Sequence, residues 1–135
     1  MNSLQILFFL ILGFSTVAGA YILIAKPTNG SPHIAGAICI VFAAYTAWQI
    51  AQEGVVMFLT NHSANLTGLQ VWWDLVMCVV IAFFFIAPRA RAAGMNLLPW
   101  AVLIGCTASI GILAMCARLF WLEAHGAGAS VAQRT

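Results

Sequence analysis

Long apolar runs alternate with short polar segments along the chain. The apolar runs cover about residues 4–25, 34–59, 70–87 and 98–122. Each is long enough to cross a hydrocarbon core of about 30 Å at 1.5 Å per residue. The segments between them contain Pro, Gly, Asn and Ser, which are residues that end helices. The pattern therefore predicts an all-α integral membrane protein, a four-helix bundle with up-and-down topology.

The composition agrees with a single membrane domain. Of the 135 residues, 64% are hydrophobic and 6% are charged, with a mean hydropathy of +1.03. A soluble domain carries about 25% charged residues. We expect residues 1–125 to form the membrane domain and the Ala-, Gly- and Ser-rich residues 126–135 to form a flexible tail. A chain of 14.5 kDa leaves little length for a soluble catalytic module, so its main partner is the lipid bilayer.

Charge and cysteine usage exclude several classes of function. The net charge of +2 is small and the basic residues are scattered, which indicates no nucleic-acid partner. The four cysteines lack metal-binding or redox spacing and are interpreted as small buried apolar residues. We assign no metal and no cofactor. His33, His62 and His125 are all predicted in loops or in the tail, which argues against a haem held by paired histidines.

Polar side chains are concentrated on one face of the second predicted span. At 100° per residue, one side of this helix carries small residues and the opposite side carries hydroxyl, amide and carboxyl groups. Hydrocarbon offers polar groups no hydrogen-bond partner, so this stripe is expected to face the bundle interior or a wet cavity. Its members are Tyr45, Thr46, Gln49, Gln52 and Glu53.

Three charges are predicted at one depth. Glu53 lies six residues before the end of the second span, Asp74 four after the start of the third, and Arg118 four before the end of the fourth. In an up-and-down bundle these positions share one leaflet, roughly 6 to 9 Å inside the helix ends. Ionisable groups at such depth are usually paired and functional. Trp48 and Trp73 lie near the same level.

Two interpretations of this cluster stay open. In one, the charges and amides form a structural network of polar contacts that fixes helix register. In the other, they form an outward-facing pocket in which Glu53 or Asp74 is a catalytic acid, or a proton or cation site, and Arg118 neutralises the other carboxylate. The predicted binding residues are Arg118, Gln49, Gln52, Tyr45, Trp48 and Trp73.

Each interpretation implies a class of protein. The pocket predicts a protein that binds or acts on a small, cationic or lipidic, isoprenoid-like molecule, as an enzyme or as a cation- or proton-coupled carrier. The structural network predicts a non-catalytic accessory subunit of a larger membrane complex. A homo-oligomer is compatible with both.

Loop charges predict the orientation. Lys26 lies in the first connection, Arg89 and Arg91 lie in the third, and the second connection has neither Lys nor Arg. Positive residues favour the cytoplasmic side, so the first and third connections are expected there and both termini outside.

Short motifs in the second half resemble a known family. These are Trp73-Asp74-Leu75, a basic turn from Pro88 to Met95, Pro99-Trp100, and the segment from Leu119 to Glu123. Over about residues 61–123 they resemble a family of small bacterial membrane proteins of unknown function. The resemblance implies a bacterial inner-membrane, multi-pass location and implies no activity.

Overall fold

The computed structural model describes residues 2–24 and 30–132, with side chains as far as residue 126. Every regular element in this part of the chain is helical, so the all-α prediction is confirmed for it. Three of the helices, α1, α2 and α4, are long and apolar enough to cross a membrane. The helices are α1 (Ser3–Ile24), α2 (Pro32–Glu53), α3 (Val55–Ser63), α4 (Leu66–Ala92), α5 (Leu97–Thr107) and α6 (Ser109–Ala132).

Helix α1 stands apart from the packed part of the molecule. None of its residues is buried. The free sides of Gly13 and Gly19 face open space, since a Cβ built on either would meet no atom within 4 Å. The apolar surface of this helix is therefore available to lipid or to another protein.

Helix α2 ends earlier than the hydrophobic pattern predicts. The sequence predicts one helix over residues 34–59, whereas the structure breaks it at Gly54 and continues as α3. Gly54 has φ 82° and ψ 159°, a conformation that is essentially restricted to glycine. The break therefore depends on the absence of a side chain at this position.

Helices α3 and α4 form a tight antiparallel hairpin. The side chain of Asn65 accepts a hydrogen bond from the Gly68 N–H at 2.8 Å and caps α4. A Cβ on Gly68 would lie 2.7 Å from the Asn61 carbonyl oxygen, so glycine permits the close approach. The Trp72 ring lies 5.3 Å from that of Phe58, centroid to centroid. His62, which the pattern predicts in a loop, is part of α3.

Helix α4 continues through Pro88, where the sequence predicts the start of a loop. Proline removes one helical N–H, yet the helix runs on to Ala92. After Ala92 the chain turns at Gly94, which has φ 77°, and the N–H of Met95 donates back to the carbonyl of Ala90 at 2.9 Å. The basic turn is thus shorter than predicted, and Arg89 and Arg91 are helical.

The largest departure from prediction is in the fourth apolar run. The sequence predicts one span over residues 98–122, but the chain reverses at Ala108, which has φ 49° and ψ −112°. Helices α5 and α6 then pack against each other, with Gly111 so close to Ile104 that a Cβ would lie 2.7 Å from the Ile104 Cα. We call this pair the α5–α6 hairpin and residues 107–109 its tip.

The contacts of α6 define the direction of each helix. Arg89 of α4 forms an ion pair with Glu123 at 2.8 Å, while the tip lies beside the middle of α4, so α4 and α6 run parallel. Cys39 Sγ donates to the Ile110 carbonyl oxygen at 3.6 Å, and a Cβ on Gly30 would overlap the Phe120 ring. Helix α2 therefore runs antiparallel to α6.

The buried core lies near the arginine-bearing end of α4. Its members come from α4, the following turn, α5 and α6, and they pack against partly buried neighbours that include Phe83 and Trp100. Small side chains at Ala87 and Ala90 let α6 approach α4 closely. The core cluster consists of Ala90, Met95, Ile104, Met115 and Leu119.

Two ends of the molecule follow from this arrangement. The end with Arg89, Arg91, Arg118 and Glu123 is the arginine end, and the opposite end, with Glu53 and Asp74, is the carboxylate end. Helix α6 extends to Ala132, so the predicted tail is helical in backbone as far as that residue. Residues 133–135 and Lys26 lie outside the described residues.

Candidate functional site

A cleft of about 700 Å³ lies between α2 and α4, and the tip of the α5–α6 hairpin forms its floor. We call it the central cleft. Its walls are mainly apolar. From α2, α3 and α4 come Phe42, Tyr45, Thr46, Gln49, Ile50, Val55, Phe58, Trp72, Leu75, Val76, Val79, Val80 and Phe83; from α5, the tip and α6 come Ala101, Ile104, Gly105, Cys106, Thr107, Ala108, Ser109 and Ile110.

The chain reversal at Ala108 creates this cleft. Helix α5 has 11 residues and is about 16 Å long, so the hairpin reaches only part of the way along α4. Beyond the tip, no further helix of residues 2–24 or 30–132 lines the space between α2 and α4. Phe58 of α3, which follows the break at Gly54, forms part of the wall toward the carboxylate end.

A small number of polar groups line the cleft. Tyr45, Thr46 and Gln49 project from α2, and Thr107 and Ser109 lie at the tip. The Thr107 hydroxyl donates to the Leu103 carbonyl at 2.7 Å. The last carbonyls of a helix and the first N–H groups of the next have no intrahelical partner. At the break, the Ala108 N–H donates to the Ile104 carbonyl, and the Ala108 carbonyl accepts from the Ile112 N–H.

The structure divides the polar stripe predicted on α2. Tyr45 and Gln49 line the central cleft, as does Thr46. Gln52 and Glu53 are exposed, and Trp48 is 56% exposed. The amide of Gln49 donates to Glu53 Oε2 at 3.3 Å, so the carboxylate is bonded within its own helix.

Asp74 and Trp73 lie on the outer surface of α4. Both are exposed, and they border a shallow depression together with Gln70 and Met77. The neighbouring Trp72 faces the cleft instead. Residues at 72, 75, 76, 79 and 83 recur at helical spacing, a signal that identifies the inner face of α4 and could have separated the two tryptophans.

Arg118 is at the opposite end of the molecule from the two carboxylates. Its guanidinium lies 4.7 Å from the Trp121 ring centroid. Arg118 is thus close along α6 to Glu123, which pairs with Arg89. Asp74 precedes Arg89 by 15 residues, about 22 Å along α4. The predicted level shared by Glu53, Asp74 and Arg118 is not formed, because that prediction required residues 98–122 to cross in one direction.

The central cleft is suited to an apolar molecule with one or two hydrogen-bonding groups. Its hydroxyls and its amide can donate or accept, and its aromatic rings supply flat apolar contacts. Among the described residues, no three His, Cys, Asp or Glu side chains converge as metal ligands do. Cys39, Cys78, Cys106 and Cys116 are separate thiols.

No protein-family model, curated protein or solved structure matches this chain. These comparisons therefore show no family for this chain.

Proposed function

We propose that this protein is embedded in a membrane and binds a lipid-like, isoprenoid-sized molecule in the central cleft. The observation that carries the proposal is the cleft itself, about 700 Å³ and lined mainly by apolar and aromatic side chains. Ligand pockets have volumes of roughly 300 to 1,000 Å³ and a similar lining, with few polar groups.

A membrane location is supported by three helices of sufficient length and apolar character, α1, α2 and α4. With α4 across the bilayer, the tip of the hairpin lies near the bilayer midplane. Irregular backbone at that depth is tolerated where it is buried in protein or lines a cavity. The break at Ala108 lines the central cleft, which satisfies this requirement.

The charge distribution supports an orientation. Arg89, Arg91 and Arg118 lie together at the arginine end, and both unpaired carboxylates lie at the other. By the positive-inside rule the arginine end faces the cytoplasm. In this orientation α6 returns to the cytoplasmic side, which replaces the expectation that the segment after residue 122 is outside. Arg118 then lies on the cytoplasmic side with Arg89 and Arg91, in agreement with the rule.

The ligand class follows from the position of the polar groups. Thr107 and Ser109 lie at the floor of the cleft and Gln49 lies on its α2 wall, whereas the α4 wall offers Val76, Val79 and other apolar side chains. A molecule with a hydroxyl or carbonyl near one end and a hydrocarbon body suits this division. Binding is favoured over turnover, because Glu53 and Asp74 are exposed and neither lines the cleft.

A second candidate function is that of a subunit in a larger assembly, and α1 favours it. All 22 residues of this apolar helix are unburied. In that case a second copy or another membrane protein would cover α1. Purification in mild detergent with measurement of the particle mass tests this candidate separately.

Photo-crosslinking tests the binding proposal. The reconstituted full-length protein is irradiated with a diazirine-bearing isoprenoid alcohol, and the labelled residues are located by mass spectrometry. Label is expected on cleft residues such as Val79 and Ile104. The variant Gly105→Phe places a ring in the cleft and should reduce this label severalfold.

The outer face of α4 supplies the control. Phe84 is 71% exposed and Phe85 is 70% exposed, and neither lines the cleft. Their labelling from bulk lipid should be the same in wild type and in Gly105→Phe. Equal labelling of the cleft in both proteins, or label restricted to the outer face, would contradict the proposal.

A further inference from the structure

Three side chains form a column on a face of α6 that packs against no other helix in the described part of the chain. Arg118, Trp121 and His125 are spaced by three and four residues, which places them on one side of a helix. The Arg118 guanidinium lies 4.7 Å from the Trp121 ring centroid, and the Trp121 and His125 rings are 4.2 Å apart. All three side chains are exposed.

The other faces of α6 already have partners. Met115 and Leu119 enter the core, Glu123 pairs with α4, Ile110 meets α2, and Phe120 meets Gly30 just before α2. The column therefore takes no part in holding the hairpin or in forming the central cleft. Its members need a different explanation, since an arginine stacked on a tryptophan is fixed in position without being neutralised.

The depth of the column corresponds to the membrane interface. Arg118 follows Ala108 by ten residues, about 15 Å along the helix. A hairpin tip at the bilayer midplane thus brings Arg118 to the edge of a hydrocarbon core that is about 30 Å thick. Trp121 and His125 then lie at the headgroup level, where tryptophan is enriched.

Arg118 is available to an external anion. The ion pair between Arg89 and Glu123 is the one salt bridge among the described side chains, and it occupies the acidic residue at this end. A guanidinium offers planar paired donors that match a phosphate. At the same end, the exposed Arg91 adds positive charge, which attracts anionic headgroups.

We propose that the column of Arg118, Trp121 and His125 binds the headgroup of an anionic phospholipid in the leaflet at the arginine end. Arg118 holds the phosphate, and Trp121 fixes the guanidinium and packs against the glycerol region. This site is separate from the central cleft, so either can fail without the other.

Native mass spectrometry of the detergent-solubilised full-length protein tests the site. Phosphatidylglycerol and phosphatidylcholine are titrated separately against wild type, Arg118→Gln and Arg91→Gln. Arg91 is the matched control, because it is exposed at the same end but on α4. Generic attraction to an anionic surface contributes about fivefold in affinity per basic residue. A directed phosphate contact should raise the loss in Arg118→Gln to about tenfold or more.

The outcomes separate the alternatives. Preference for phosphatidylglycerol that falls much further in Arg118→Gln than in Arg91→Gln supports the site. Equal losses in the two variants, no preference between the lipids, or displacement of the lipid by inorganic phosphate would overturn it. Arg118→Lys keeps the positive charge but lacks the planar guanidinium, so its affinity for phosphatidylglycerol should lie between those of wild type and Arg118→Gln. This variant shows whether the loss in Arg118→Gln comes from the missing contact or from a folding defect.

Discussion

Arg89 and Glu123 are joined by two parallel hydrogen bonds. Arg89 Nε donates to Glu123 Oε1 at 3.1 Å, and Nη2 donates to Oε2 at 2.8 Å. The two residues are 34 positions apart in sequence, and the chain between them travels down α5 and returns along α6. This pair therefore links α4 to α6 at the arginine end.

The first prediction concerns the energy of this ion pair. Arg89 is 49% exposed and Glu123 is 22% exposed, so solvent weakens the attraction, while the bidentate geometry strengthens it. A double-mutant cycle with Arg89→Gln and Glu123→Gln should give a coupling energy of about 1 kcal/mol in thermal unfolding. Additive single variants would mean that the pair contributes nothing to the packing of α6.

The second prediction concerns the side of the membrane on which α6 emerges. Asn96 precedes α5 and Ala124 lies beyond Glu123, so both should be reached from the same side. In a background in which the four native cysteines are replaced by Ala, Asn96→Cys and Ala124→Cys should react with an impermeant maleimide added to the same face. A Ser63→Cys variant should react from the other face. Labelling of positions 96 and 124 from opposite faces would instead support a single span over residues 98–122, as the hydrophobic pattern predicts.

The apolar runs predicted α1, α2 and α4 because length and hydropathy are local properties of the chain. The reversal at Ala108 was not predictable in the same way. No proline marks it, and the conformation of Ala108 is held by a contact between α5 and α6, in which Gly111 meets the backbone of Ile104. The glycines and hydroxyls around it also suit ordinary packing between spans.

The structure treats the parts of the predicted site differently, and each difference has a physical reason. Tyr45 and Gln49 line the central cleft, on the face of α2 that helical periodicity alone predicted to point inward. The shared level of Glu53, Asp74 and Arg118 was wrong, because it was counted from span ends and depended on the direction of α6. Trp73 was chosen where Trp72 faces the cleft, since adjacent residues differ by 100° on a helix.

The third prediction concerns the two carboxylates. Glu53 and Asp74 are exposed, and Glu53 has one side-chain bond, from Gln49. Glu53→Gln and Asp74→Asn should each change the free energy of unfolding in detergent by no more than about 0.5 kcal/mol. Thermal unfolding followed by circular dichroism measures this. A loss above 2 kcal/mol in either variant would show that the carboxylate belongs to a structural network.

The fourth prediction tests the closeness of the α5–α6 hairpin. A Cβ at Gly111 would lie 2.7 Å from Ile104 Cα and 2.8 Å from Ile104 N. These are backbone atoms, so the overlap can be relieved only by separating the two helices. Gly111→Ala should therefore destabilise the protein by about 2 kcal/mol, within the range for overpacked sites.

Gly36→Ala is the control for Gly111→Ala, because Gly36 lies within α2 and a Cβ there would meet nothing within 4 Å. Alanine is the better helix former by about 1 kcal/mol, so this variant should be as stable as wild type or more so. If Gly111→Ala separates the helices, the floor of the central cleft also moves, and crosslinking to Ile104 should fall with stability. A Gly111→Ala protein that matches Gly36→Ala in stability would mean that α5 and α6 lie further apart than the structure has them.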